Sequence, residues 1–195
     1  MEGFTLWNPA EVRMSFFRKP ITNKRPESQP VSLFQVYEYV RGRWAMPETE
    51  QLRNITDKDE ARRYKGSQFP YVTPAGVFSY CNDQSLVRHS EVLCMDLDHI
   101  GDVDSLKQRL IANELFQTLL AFRSPSGDGL KWFLRIDLQK CSHRQWFDAV
   151  RNYLISMYGL SEKQVDPSVR NESRACFLCY DPAVYVNPIL MTNDR

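Results

Sequence analysis

One stretch limits the fold more than any other: Glu91-Val-Leu-Cys-Met-Asp-Leu-Asp-His99. It is an apolar run that closes on two aspartates one residue apart. Val92, Leu93, Cys94, Met95 and Leu97 suit a strand covered on both faces, because β-branched and bulky apolar side chains fill both sides of a buried sheet. Successive strand side chains point to opposite faces, so Asp96 and Asp98 share one face and Leu97 takes the other. Two carboxylates roughly 7 Å apart at the end of a rigid strand can hold divalent cations. The simpler use of such acids is to stop the strand and cap the helix that follows.

The segments after this strand set a topology. Residues 102–113 predict a helix with Val103, Leu106 and Leu110 on one side. Residues 116–123 and 130–137 read as strands around the turn Ser124-Pro-Ser-Gly-Asp-Gly129. Ser142 with Gln145 forms a capping box that opens a long helix. Trp146, Ala149, Val150, Tyr153, Leu154 and Met157 recur along it at helical spacing, and Gly159 closes it. A polar segment through Asp166 and Pro167 precedes a fourth strand at residues 175–180. The order β-α-β-β-α-β is that of the split-βαβ, ferredoxin-like or RRM-like unit, here an α+β core over about residues 88–182, with strand order 4-1-3-2. In that order the end of the first strand, the turn between the second and third, and the approach to the fourth lie at one edge of the sheet. Asp96, Asp98, the turn through Lys131, and residues 166–174 are therefore expected to meet.

Residues 1–85 predict an N-terminal α/β module packed on this core. A strand is expected at 12–17 and a Pro- and Lys-rich loop over 19–30. Ser32 caps a helix over 33–41, and a second helical stretch over 50–65 breaks near Thr56 and Asp57. One or two short strands follow within 69–80. No linker divides the parts, so residues 1–195 read as one domain, with module 1–85 and core 86–190.

Composition serves to exclude. Net charge is +1, so no overall basic field announces a polyanion or a membrane surface, although the first third is weakly basic. The five cysteines are an odd number and no secretory signal precedes them, which points to reduced thiols in a cytoplasm. Cys176 and Cys179 have zinc-pair spacing but lack a second pair, so they read as buried strand thiols. No apolar run approaches the roughly 18 residues that span a bilayer, so no membrane partner is expected.

The residues expected at the rim point to phosphate chemistry. Ser124, Ser126 and the backbone around Gly127 and Gly129 can cradle an anion, because glycine lets the chain approach closely. Lys131 adds a point charge. Asp166 is a third acid, and Arg170 and Arg174 carry forks that match phosphate oxygens. Carboxylate oxygens with open water positions favour Mg²⁺ or Mn²⁺.

Met95-Asp-Leu-Asp98, then Ser124-Pro-Ser-Gly-Asp-Gly-Leu-Lys131, then Asp166 with Arg174, resembles the three-motif pattern of the archaeo-eukaryotic primase superfamily, the primase-polymerases. The closer resemblance is to the VirE N-terminal-domain family of bacterial mobile elements, and it extends into Met14-Ser-Phe-Phe17 and Asp57-Lys-Asp-Glu60. The resemblance implies a primase-polymerase-like fold with Asp96, Asp98 and Asp166 as catalytic and metal-binding residues. It also implies a nucleoside triphosphate held by Ser124, Ser126, Gly127, Gly129, Lys131, Arg170 and Arg174. The activity would be divalent-metal-dependent nucleotidyl transfer of DNA primase or polymerase type in mobile-element replication. The implied partners are single-stranded template DNA and a helicase-type replication protein. Lys131 stands where most active primase-polymerases carry histidine. That departure leaves an alternative open, a catalytically inactive primase-like module that binds nucleotide or nucleic acid.

Overall fold

The computed structural model describes residues 7–191. The chain runs through β1 (Arg13–Phe17), β2 (Val31–Ser32), α1 (Leu33–Arg41), α2 (Met46–Asn54), α3 (Lys58–Gln68), β3 (Tyr71–Thr73), β4 (Gly76–Phe78) and β5 (Leu86–His89). It continues with β6 (Val92–Leu97), α4 (Val103–Ile111), β7 (Thr118–Arg123), β8 (Leu130–Arg135), α5 (His143–Tyr158), β9 (Cys176–Phe177) and β10 (Tyr185–Val186). The fold is α+β, and every strand pairing is antiparallel: one sheet in the order β2-β1-β3-β9, a second in the order β10-β7-β8-β6, and a β4-β5 hairpin.

Local chemistry fixes the helix starts. Ser32 and Gln35 exchange side-chain-to-backbone bonds in a capping box, and Ser142 and Gln145 do the same at the head of α5. Asp57 accepts from the Glu60 amide and opens α3, so the helical stretch expected over 50–65 is two helices, with the break where the sequence placed it. α4 is capped by Asp102, which accepts from the Ser105 amide. Asp96 and Asp98 therefore do not cap it.

The second sheet is covered on both faces. Leu93, Met95 and Leu97 of β6 and Leu130, Trp132 and Leu134 of β8 pack against Leu106, Leu110, Phe147, Val150 and Leu154 of α4 and α5. Val92, Leu120, Phe122 and Phe133 face the other way, onto Met14, Val72 and Cys176 of the first sheet and Leu33, Val36 and Val40 of α1. Each such buried side chain contributes about 1.5–3 kcal/mol of transfer free energy. Asp96 and Lys131, by the alternation of their strands, belong to the face toward the first sheet.

One expected pairing is corrected. The fourth strand expected at 175–180 is only β9, and it pairs with β3, Tyr71 opposite Phe177 and Val72 opposite Cys176. It does not join β6. The edge of β6 is met instead by the polar segment before β9, where the Asp98 amide donates to the Gln164 carbonyl at 3.0 Å. The opposite edge of the sheet is completed by β10 beside β7. Among the described residues no helix is long and apolar enough to cross a membrane.

Candidate functional site

A cleft of ≈ 970 Å³ opens where β6 ends, at the upper end of the size range for small-molecule sites. One wall is α3. Lys58, Arg62 and Lys65 sit at i, i+4 and i+7, which puts them on one helix face, and all three line the cleft. Lys24 enters from the loop after β1, and Arg174 from the segment before β9. Among the described residues none of these five cations takes part in an ion pair. Asp96, Asp98 and Asp128 supply the opposing charge.

Asp96 and Lys131 form the floor. They are partners on one rung of the β6–β8 ladder, and the Lys131 ammonium contacts Asp96 Oδ2. Their side chains are 17% and 8% exposed respectively. Asp96 Oδ1 is buried and has no protein hydrogen-bond partner. Burial works against the Lys131 charge, but the Asp96 carboxylate outweighs it and holds the ammonium above its ordinary pKa. Asp98, at the cleft mouth, is pushed up by enclosure and then by the Asp96 charge, against the pull of Lys131, Lys65 and His99. Lys65 is pushed down by burial and by Lys131, against the three aspartates. The three groups are thus electrostatically linked across the cleft.

The hairpin turn uses most of its donors internally. The Gly129 amide donates to Ser124 Oγ at 3.1 Å, and the Gly127 amide to the Ser124 carbonyl at 2.9 Å. Arg53 of α2 donates to the Ser124 and Pro125 carbonyls. Ser124, Gly127 and Gly129 therefore shape the turn, while Ser126 and Asp128 face the cleft. Asp128 Oδ2 accepts from His99 at 2.8 Å.

The segment carrying Asn171, Ser173 and Arg174 is tied down from outside the cleft by Asp83. Its Oδ1 accepts from Ser173 Oγ at 2.6 Å, from the Ser173 amide at 3.1 Å and from Asn171 Nδ2 at 3.2 Å. Arg170 and Asp166 are not among the cleft-lining residues. Arg170 faces Asp148 at 3.8 Å, and the Asp166 carbonyl accepts from the Val169 amide in a short turn. Among the described residues no group of three or more His, Cys, Asp or Glu side chains is placed to hold a metal ion. Cys176 and Cys179 are free, buried thiols, and burial pushes Cys179 up to about 12.

The structure thus brings together Asp96, Asp98, Ser126, Lys131 and Arg174 from the expected set, and adds Lys24, Lys58, Arg62, Lys65, Asp128, Asn171 and Ser173. The helical spacing of Lys58, Arg62 and Lys65 is the one sequence signal that could have found the new wall.

Residues 64–186 match the family described as BT4734-like, N-terminal domain. That span is more than half of the 195 residues, and it makes the chain a member of that family. It begins within α3 and runs to the end of β10, taking in the cleft lining from Lys65 onward and leaving out Ile21, Lys24, Ile55, Thr56 and the first part of the α3 wall. The resemblance to the VirE N-terminal-domain family is corrected by this match, which is to a different family. The assignment to primase-polymerases, DNA replication and mobile elements rested on that resemblance and falls with it. No curated protein and no solved structure matches the chain.

Proposed function

We propose that this chain, as a member of the BT4734-like N-terminal domain family, binds a nucleoside triphosphate with Mg²⁺ or Mn²⁺ in the cleft beside α3, and supports metal-dependent nucleotidyl transfer there. One observation carries this: five cations without an ion-pair partner among the described residues, from three separate segments, converge on a cleft with Asp96 of β6 on its floor and Asp98, one residue past that strand, at its mouth. Leaving that many like charges together is unfavourable unless an anion joins them. A triphosphate brings roughly four negative charges, and Arg62 and Arg174 offer forks for its oxygens.

The donor set suits a hard divalent cation. Asp96 Oδ1 is buried and lacks a protein partner, and Asp98 follows one residue past the end of β6. Mg²⁺ is commonly held by one or two carboxylates, with phosphate oxygens and water completing its shell. Bound there, the ion would offset charge on the transferring phosphoryl group. The chain's own groups do the rest: α3 and Arg174 orient the phosphates, Ser126 donates at the turn, and Lys131 fixes the Asp96 carboxylate. In the second sheet, the order β7-β8-β6 with α4 and α5 on one face supports a ferredoxin-like reading of that half. Five free thiols fit a reducing cytoplasm.

A second reading, binding of nucleotide or single-stranded nucleic acid without turnover, is favoured by the lack of a three-carboxylate group among the described residues. Calorimetric titration of ATP with Mn²⁺ into the wild type and Asp96→Asn tests the shared part. Binding in the first and a large loss in the second is expected; no heat with the wild type would overturn both readings. Incorporation of labelled nucleotide on a primed template separates them, since the binding-only reading yields no product.

A further inference from the structure

We infer that Asp83 is a positioning residue for the anion cleft: it fixes the segment that presents Arg174, and so contributes to binding without touching the ligand. The inference rests on the anion-binding part of the reading above. Asp83 is not among the cleft-lining residues. It opens the short turn Asp83–Ser85 ahead of β5, and its carboxylate reaches the segment that leads into β9.

Several bonds make the hold. Asp83 Oδ1 accepts from Ser173 Oγ at 2.6 Å, from the Ser173 amide at 3.1 Å and from Asn171 Nδ2 at 3.2 Å. Cys81, two residues earlier, donates from Sγ to the Ser173 carbonyl at 3.5 Å. On the other side of Arg174, Cys176 is registered opposite Val72 of β3. The Arg174 backbone is thus pinned before and after, with only Ala175 between it and the sheet. Burial works against the Asp83 charge, but the bonds from Ser173 and Asn171 and the Arg144 charge outweigh it and hold the carboxyl below its ordinary pKa.

The neighbouring charges are arranged to match. Glu172 is two residues from Arg174, and Asp83 is bonded to the residue beside it. Both acids face Arg144 of α5, which lies 3.3 Å from Asp83 Oδ2 and 3.8 Å from Glu172 Oε2. Arg144 therefore engages the acids that would otherwise draw the Arg174 guanidinium aside. Arg174 lines the cleft with no ion-pair partner among the described residues. The same loop steadies a second cleft cation, since the Cys81 amide donates to the Lys24 carbonyl at 2.9 Å. A cation held in place before the anion arrives loses less conformational freedom on binding, which raises affinity.

Calorimetric titration of inorganic tripolyphosphate into the full chain and its variants tests this. The Asp83 side chain is 36% exposed, so Asp83→Ala opens no core cavity, and a urea denaturation midpoint confirms that the variant is folded. Asp83→Ala is expected to weaken binding roughly three- to tenfold, the cost of ordering one long side chain and its segment on binding. The decisive readout is a double-mutant cycle. Asp83→Ala should weaken binding as much in an Arg62→Ala background as in the wild type, and should have no further effect in an Arg174→Ala background. A role in stability alone would not distinguish the two backgrounds. Equal losses in both, or wild-type affinity in Asp83→Ala, overturns the inference while leaving the anion site standing. Absence of tripolyphosphate binding by the wild type overturns the underlying reading itself.

Discussion

Asp96 and Lys131 stand opposite each other on neighbouring antiparallel strands, and their charges meet in the space between the two sheets. Removing one member leaves the other enclosed without its counter-charge, which costs more than the pair itself contributes. Lys131→Ala is therefore expected to destabilise the chain by about 3 kcal/mol. Asp96→Asn should cost less, because its amide oxygen still accepts from the ammonium. Urea denaturation midpoints check the order, and a Lys131→Ala variant as stable as the wild type would contradict it.

The α3 wall predicts a split between affinity and stability. Arg62→Ala and Lys65→Ala each remove a cleft cation without opening a core cavity, and each should weaken ATP-analogue binding about tenfold, the equivalent of about 1.4 kcal/mol. Arg63 is exposed and does not line the cleft, so Arg63→Ala should leave affinity unchanged. Fluorescence anisotropy titrations at two salt concentrations measure both, and equal losses at Arg62 and Arg63 would mean that only net charge matters.

A histidine pair beside the cleft floor predicts acid sensitivity. The Glu91 amide donates to His89 Nδ1, which puts the His89 proton on Nε2, 3.1 Å from His143 Nδ1. Burial first, then the neighbouring charge, pushes both histidines down to about 4. The unfolded chain, with histidines near 6.5, binds more protons in this range. Their contribution is therefore complete above about pH 6.5 and is lost progressively as pH falls toward 4, by an amount on the order of a few kcal/mol. Denaturation midpoints between pH 7 and 4.5 should fall steeply in the wild type and less so in a His89→Gln/His143→Asn double variant.

Gly129 is fixed by close approach. A Cβ there would lie 2.5 Å from the Leu97 carbonyl oxygen and 3.0 Å from Ser124 Oγ. The first is backbone of the paired strand and cannot swing away. Gly129→Ala should cost about 2–3 kcal/mol and disturb the turn that presents Ser126. Gly101→Ala, where no atom lies within 4 Å, should be close to neutral in the same melting experiment.

The parts of the structure that follow from periodicity were readable in advance. Leu130, Trp132 and Leu134 face the helices because alternate strand positions must, and Ser142 with Gln145 opens α5 because the capping box is local. The partner of β9 was not readable. Two residues carry no pattern that chooses between the free edges of β3 and β6. The cationic wall was hidden for a related reason: Lys58, Arg62 and Lys65 on one helix face look the same whether they meet water or a cleft. The internal bonding of the turn is not legible from residue types, because the Gly129 amide donates to Ser124 Oγ through a rotamer choice that those types do not fix. The short motifs suggested a family because a strand ending in acids, a glycine turn and a later Asp are compatible with more than one lineage, and the match over residues 64–186 decided otherwise.

The pairing of β3 with β9 has a kinetic meaning. Val72 and Cys176 are neighbours in space but about a hundred residues apart along the chain, so their contact forms only after a large loop has closed. The β6–β8 ladder, with Asp96 and Lys131 on it, closes a far shorter one. During folding the acidic floor can thus exist before Arg174, brought in by β9, and the α3 wall, which leads directly into β3, are set against it. The anion binding proposed for the cleft needs all three, so it is expected only once the whole fold has formed. A polyanion that fills the cleft should therefore slow unfolding as a whole, resisting proteolysis at sites far from where it sits.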